Sequence, residues 1–183
     1  MIVVLGRPRL DERGQITGTA GRVAVAARSA GAQVAVVGLV ADDAAGDATV
    51  TELGRLGVGH AALLRQPGGG ELRPLDRDDI ELGLRYVPEC RVLVAAEPLS
   101  AEAMAATTDA ATYHGAALVA VTEAGAAAPT LPESATVLEL PDEDGGAFAS
   151  LVGRYAAALA AGTESVEAWK SAVNESGWEQ ATE

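Results

Sequence analysis

The chain has 183 residues, enough for one domain that buries a sizeable core. Its 26 acidic and 13 basic residues give a net charge of −13, which would repel nucleic-acid phosphates and anionic lipids and so excludes both as expected partners. Hydrophobic residues make up 49% of the chain but aromatic residues only 3%, so the core must consist of alanine, valine and leucine, which suits a layered α/β fold.

The first half of the chain alternates apolar runs of strand length with segments of helical period. Gly31 and Gly57 provide stop signals for its two helices. Three glycines and two prolines between residues 66 and 74 then predict a break without regular structure. The predicted elements before this break are strands at 2–6, 32–40 and 60–65 and helices at 17–31 and 43–56.

The same alternation resumes after the break and ends in two helices. The predicted elements are strands at 91–96, 116–122 and 135–140 and helices at 76–87, 100–115, 146–162 and 165–178. Strands that are apolar throughout, with helices between them, are typical of a parallel sheet covered on both faces. We therefore expect a doubly wound α/β fold with right-handed connections.

Cysteine use and the lack of targeting signals indicate the compartment. The single cysteine, Cys90, cannot form an internal disulfide or build a structural zinc site, which favours a reducing cytoplasm. The N-terminal apolar run is too short and uncharged for a signal peptide, and no run reaches the ~18 residues of a membrane span. We expect one cytoplasmic domain over residues 1–183, with neither a membrane nor a nucleic acid as partner.

Ligands of doubly wound folds bind beyond the carboxyl ends of the strands, so the residues that follow each strand are the candidate site. These segments are rich in carboxylates and poor in cations. The chain has no Gly-x-x-x-x-Gly-Lys-Ser/Thr loop. Its nearest approach to a dinucleotide fingerprint, GTAG at 18–21, is a weak match because a polar stretch separates it from the first strand.

Two motifs at predicted strand ends point to a known family. Asp11 follows Gly6, the end of the first strand, after a short polar turn. The run GLVADDAAG then places Gly38, Asp43 and Gly46 after the second strand. This order resembles the ribokinase (PfkB-type) sugar kinases, which have a sugar-binding Asp after the first strand and Gly-x-Val-Gly-x-Asp-x-x-Gly after the second. The resemblance implies a ribokinase-like, three-layer α/β/α fold.

The resemblance also implies which residues would bind substrate. Arg22 stands where the family has a sugar-binding Asn, just after the glycine-containing helix start. Glu97 ends a later strand at a position similar to the family's Glu-x-Pro. The implied substrate-binding residues are Asp11, Gly18, Arg22, Asp43 and Glu97.

The catalytic half of the family pattern is altered. The best counterpart of its Gly-Ala-Gly-Asp anion hole and base is EDGGAF at 143–148, which makes Gly145 and Gly146 the candidate cofactor-binding residues. This alignment puts Gly146 in place of the base, and Glu143 and Asp144 where a phosphate would approach. Phosphoryl transfer needs cations around the phosphate and a base on the sugar hydroxyl. We therefore predict no catalytic residue and no metal ligand.

Two functions remain open from the sequence. One is a catalytically degenerate homologue that binds a sugar or small polyol or serves a structural role. The other is a minimal ATP-dependent sugar or nucleoside kinase completed by oligomerisation, which alone would need ATP and Mg²⁺. A homo-oligomer is expected in either case, through the alanine-rich helix at 147–161 or the last helix with Trp169.

Each candidate residue also has a structural explanation. Asp11 could be an ordinary turn residue, and Asp43 a carboxylate in the first turn of a helix. Glu97 could simply end its strand. A pair between Arg22 and one of the aspartates would close the site, whereas an unpaired Arg22 would favour a polyol or sugar acid.

Overall fold

The structure is a computed structural model that describes residues 1–68, 70–125, 130–141 and 146–178. The strands are β1 (Ile2–Gly6), β2 (Arg9–Leu10), β3 (Ile16–Thr17), β4 (Val34–Ala41), β5 (Gly59–Gln66), β6 (Val92–Ala95), β7 (Ala117–Glu123) and β8 (Thr136–Leu140). The helices are α1 (Thr19–Ser29), α2 (Ala44–Arg55), α3 (Arg77–Leu84), α4 (Ala101–His114), α5 (Ala147–Ala160) and α6 (Ser165–Ser176).

Six strands form one parallel sheet in the order β5-β4-β1-β6-β7-β8. From β1 the chain steps outward through β4 to β5, then returns to the other side of β1 and steps outward again through β6, β7 and β8. The direction of winding therefore reverses between β1 and β6. The predicted doubly wound fold is confirmed.

Helices cover both faces of this sheet. Alternate side chains of β1 point to opposite faces, so Ile2 and Val4 belong to one core cluster while Val3 and Leu5 belong to the other. The first cluster includes residues of α1, α5 and α6 and Leu53 of α2. The second includes residues of α3 and α4. The sheet is the middle of three layers.

Helix α5 lies inside the first helical layer. None of its residues is exposed, because it packs between α1 and α6. Gly153 makes the contact with α1 possible, since a Cβ at this position would lie 2.6 Å from the Ala26 Cβ. The Tyr155 hydroxyl is 2.9 Å from Thr136 Oγ1 and 2.7 Å from Ser165 Oγ, linking α5 to β8 and to α6. The surface predicted as a contact between copies at 147–161 is thus used within the chain.

A small antiparallel hairpin of β2 and β3 lies between β1 and α1 in the chain. It was not predicted, and it moves the start of the first helix from residue 17 to Thr19. Two-residue strands are too short for a periodic pattern to show. Among the described residues, no helix is long and apolar enough to cross a membrane.

Candidate functional site

The point where the winding reverses is occupied by an ion pair. Arg7 follows β1 and Glu97 follows β6, so the two side chains meet at the carboxyl ends of adjacent strands. Arg7 Nε donates to Glu97 Oε2 at 2.6 Å, and Arg7 N donates to Glu97 Oε1 at 2.8 Å. The two side chains are only 20% and 14% exposed. The crevice in which doubly wound folds bind ligands is therefore filled at this point by protein side chains.

Arg7 is a residue that the sequence analysis missed. Its Nη1 also donates to the Leu72 carbonyl at 2.7 Å, which ties the segment after β5 to the same place. The backbone of Gly18 lies close to the backbone of Arg7. A Cβ added at Gly18 would be only 3.1 Å from the Arg7 carbonyl oxygen. The sequence does place Arg7 and Glu97, two opposite charges, just after predicted strands. Predicting that they pair requires the knowledge that β1 and β6 are neighbours in the sheet.

Asp11 lies at the turn of the β2–β3 hairpin. Its Oδ1 accepts hydrogen bonds from Arg13 N and Gln15 N, both at 2.9 Å. The backbone closes the same turn, since Asp11 N donates to the Gln15 carbonyl. The side chain is exposed, and this oxygen stabilises the turn.

Asp43 is the N-cap of α2. Its Oδ1 accepts from Ala45 N and Gly46 N, both at 2.9 Å, which satisfies two amides at the helix start. Asp43 also lines a cavity of about 210 Å³ together with Pro8, Leu10 and residues of the segment before α3. Asp11 is not among the residues that line it. The two aspartates therefore occupy different environments.

Arg22 and Gly146 lie together at a second cavity. This cavity of about 450 Å³ is enclosed by α1, α2, the start of α5 and the hairpin. An Arg22 guanidinium nitrogen, Nη1, lies 3.8 Å from the position that a Cβ at Gly146 would occupy. Gly146 has a φ of 98°, in the region that favours glycine, and α5 begins directly after it. The candidate Gly145 lies outside the described residues, as do Glu143 and Asp144.

Of the two arginines that line this cavity, one is paired with a described carboxylate and the other is not. Arg55 binds Glu52 through two hydrogen bonds, of 2.7 and 2.6 Å, which lower the pKa of Glu52. The guanidinium of Arg22 makes no ion pair or hydrogen bond with the described part of the chain, although it lines the same cavity as the Arg55–Glu52 pair and lies near the start of α5. Most of the other lining residues, such as Ile16 and Val25, are apolar.

The predicted site residues are thus distributed over separate places. Arg22 and Gly146 share one cavity, Asp43 lines another, and the hairpin that carries Asp11 lies between them. Gly18 and Glu97 both contact Arg7 at the reversal point. Within the described ranges, no group of three or more His, Cys, Asp or Glu side chains could hold a metal ion.

A scan against family models found no match, and a search of the curated proteins found none either. Solved structures do match. The protein called Sa239 superposes with a TM-score of 0.72 over 97% of this chain and 92% of its own, at 11% identity. A candidate phosphofructokinase from Staphylococcus aureus gives a TM-score of 0.66 over 96% and 90% of the two chains, at 11% identity.

A candidate ribokinase II from Escherichia coli, in its apo form, also gives a TM-score of 0.66, over 93% of this chain and 89% of its own, at 11% identity. Identities this low establish a shared fold and nothing finer. The resemblance to the ribokinase-type sugar kinases is confirmed at that level: this chain has the ribokinase-like, three-layer α/β/α fold.

Proposed function

We propose that the chain forms one ribokinase-like domain that binds a small hydroxylated anion, a sugar acid, without transferring a phosphoryl group. The observation that carries this proposal is the Arg22 guanidinium, which no described carboxylate neutralises, at the edge of a largely apolar cavity of about 450 Å³. A chain with a net charge of −13 has many carboxylates that could pair with a surface arginine. A cation that forms no ion pair with the described residues of such a chain is suited to an anionic ligand.

The chemistry of the cavity favours a carboxylate over a phosphate. A guanidinium binds a carboxylate through two parallel hydrogen bonds, and the N-terminal end of α5 adds a partial positive charge. However, Asp142, Glu143 and Asp144 precede Gly146 in the sequence. Their repulsion acts twice as strongly on a dianion as on a monoanion. A sugar acid therefore fits better than a sugar phosphate.

The hydroxyl groups of the ligand need hydrogen-bond partners of their own. Ser150 lines the same cavity and offers a hydroxyl group. Asp43 caps α2 through Oδ1 and lines the other cavity, so we do not place it in the Arg22 site. We propose that the side chain of Gln15, which lines the Arg22 cavity from the hairpin, contributes beside Ser150.

The absence of phosphoryl transfer rests on two positions. Gly146 stands where the resemblance implies the catalytic base, and glycine has no group that accepts a proton. Arg7 and Glu97 neutralise each other in the crevice between β1 and β6. Neither residue is available to stabilise the charge of a transferring phosphoryl group.

The test is a ligand-observed NMR titration with D-gluconate, with neutral glucose and sorbitol as comparators. We expect gluconate to bind more tightly than either neutral compound. Arg22→Gln should remove about 1.5 to 3 kcal/mol of the binding free energy, the range for a hydrogen bond to a charged group. Arg13→Gln, in the exposed hairpin turn, is the matched control and should leave binding unchanged. Gluconate binding that survives Arg22→Gln would disprove the proposal.

A second candidate is favoured by the names of the matched structures, which include a candidate phosphofructokinase and a candidate ribokinase II. It is an ATP-dependent sugar or nucleoside kinase that a second copy of the chain completes. Binding of ATP with Mg²⁺ would then raise the free energy of unfolding by RT ln(1 + [L]/Kd), and the melting temperature would rise with it. A thermal shift with ATP and none with gluconate would favour this candidate over the sugar-acid proposal.

A further inference from the structure

The outer surface of α3 and α4 carries aromatic side chains in solvent. Tyr113 on α4 is 86% exposed, and Tyr86, directly after α3, is 60% exposed. The chain has only three tyrosines, two tryptophans and one phenylalanine, and the third tyrosine, Tyr155, is 1% exposed. Tyrosine is enriched in protein interfaces because its ring buries a large area while its hydroxyl stays hydrogen-bonded.

A groove lies between the two helices. Tyr113 lines it, and so does Arg85, the residue before Tyr86. The groove has a volume of about 400 Å³, and Leu84, Ala106 and Ala110 form its apolar part. The ring of Tyr113 packs edge-on against the ring of His114, with the two ring centroids 5.2 Å apart. This groove and its flanking tyrosines are called the α3–α4 face below. Such a shape can accept a large side chain from a partner.

The α3–α4 face also carries two charges of opposite sign that do not pair. Glu81 binds Arg77 one turn away on α3 at 2.7 Å, so both are neutralised. Arg85, at the end of α3, and Asp109 of α4 line the same groove. Neither forms a close ion pair with another described residue, although the Asp109 carboxylate helps to raise the pKa of Arg77. One cation and one anion thus line one groove.

We propose that the α3–α4 face binds a second copy of this chain across a two-fold axis, so that Arg85 meets the partner's Asp109 and Asp109 meets the partner's Arg85. A two-fold contact uses the same surface on both copies, so it requires a surface that is complementary to itself. Opposite charges that line one apolar groove without a close ion pair to a described residue meet that requirement. Tyr113 then packs against the apolar part of the opposite groove.

The net charge requires that a contact between two copies contain attractive charge pairs. Two copies that each carry a charge of −13 repel one another unless the contact contains attractive pairs. The exchange of Arg85 and Asp109 supplies two such pairs. A standard interface takes about 800 Å² from each partner, a small share of the 9335 Å² that the chain exposes. Of the two surfaces expected from the sequence, the one on α5 is already covered by α1 and α6, whereas the last helix with Trp169 stays a prediction.

Sedimentation velocity over a concentration series tests the proposal. We expect the wild-type chain to form a dimer at tens of micromolar. Arg85→Glu and Asp109→Arg should each weaken the dimer by about tenfold or more, because each places like charges in contact. The double variant, Arg85→Glu with Asp109→Arg, should restore it, since the exchanged charges again attract. Tyr113→Ser should weaken it without changing any charge.

Two controls separate the surface from general effects. Arg13→Glu changes the net charge by the same amount as Arg85→Glu, but in the hairpin turn, and should leave the dimer intact. Val166→Ser removes another exposed apolar side chain, 58% exposed on α6, and should also leave it intact. A monomeric wild type at these concentrations would mean that the face binds a different protein or none, and it would overturn the proposal. A dimer that tolerates Arg85→Glu and Tyr113→Ser would overturn it equally.

Discussion

At the scale of single residues, the glycines of the GLVADDAAG motif are required by backbone contacts. Gly38 of β4 lies beside Gly6 of β1, and a Cβ at Gly38 would overlap the Gly6 carbonyl. Gly46 in α2 similarly lies against the Ala41 carbonyl at the end of β4. These contacts require glycine with or without a ligand. The glycines of the motif are therefore explained by the packing of the fold.

The charged candidates were harder to predict than the glycines. The sequence identified Asp43 at the start of α2, and the structure shows it there as the N-cap. The sequence did not predict that Asp11 would be held in the turn of a hairpin, because β2 and β3 are only two residues long. Nor did it show that Glu97 would be held by Arg7, since that pair joins positions 90 residues apart.

The thiol of Cys90 is expected to be unreactive in the folded chain. It is 6% exposed, and burial raises its pKa to about 11 from an ordinary value of 9.0. Since the thiolate is the reactive form, reaction with a disulfide reagent at pH 8 should be slow in buffer and fast in urea. Rapid reaction of the native chain would contradict this.

The same raised pKa predicts a dependence of stability on pH. The unfolded chain ionises this thiol at lower pH than the folded chain, so its contribution to stability is lost as pH rises from 9.0 to about 11. Urea unfolding of the wild type and of Cys90→Ala across that range measures it. The free energy of unfolding of the wild type, relative to that of Cys90→Ala, should fall as the pH rises from 9.0 to about 11.

At the scale of elements, α3 depends on the charges at its first turn. Asp76 and Asp79 form a capping box, in which each side chain accepts from the other's backbone amide at 3.0 Å. Asp79 is 6% exposed and also binds Arg73 through both carboxylate oxygens. Burial alone would raise the pKa of Asp79, but the hydrogen bonds from Arg73 and Asp76 outweigh burial and lower it. This helix carries half of the α3–α4 face.

We expect Asp79→Asn to destabilise the chain at pH 7 by about 1.5 to 3 kcal/mol, the range for hydrogen bonds to a charged group. Because the folded pKa is lowered, the contribution of Asp79 is present above its ordinary value of 3.8 and is lost as the pH falls through the folded value. The stability difference between wild type and variant, measured by urea unfolding, should therefore shrink below about pH 4. Asp78→Asn, at an exposed position in the same turn, should change stability by less than about 0.5 kcal/mol. Equal effects of the two substitutions would refute this.

At the scale of the whole molecule, the alternation of apolar strands and helices was sufficient to predict the doubly wound class. The order of strands was not predictable, because β1 pairs with β4 and with β6 through contacts remote in sequence. That order decides which strand ends meet at the reversal point and hence which charges neutralise one another. The fold class was therefore readable from local patterns, whereas the candidate site depended on contacts that local patterns do not contain.

We expect the purified chain to transfer no phosphoryl group from ATP with Mg²⁺ to ribose, fructose or adenosine above the uncatalysed rate. Gly146→Asp should not restore transfer, because Arg7 and Glu97 still neutralise each other in the crevice. A coupled assay for ADP, run on wild type and variant at equal concentrations, measures this. Sustained ADP formation that depends on ribose, fructose or adenosine would show that the chain is an active kinase.

The central position of β1 has a consequence for the chain during synthesis. β1 precedes its two partners in the chain, and β4 can cover one of its edges once Ala41 has emerged, with Ile2 in register with Val34. Its other edge pairs with β6, and Ile2 meets Val92 there. Until β6 leaves the ribosome, the second edge of β1 has no partner strand. The backbone amides and carbonyls along this apolar strand can then pair with other nascent chains. Translation speed across the intervening segment thus governs how long the growing polypeptide is exposed to aggregation and how much it depends on chaperones.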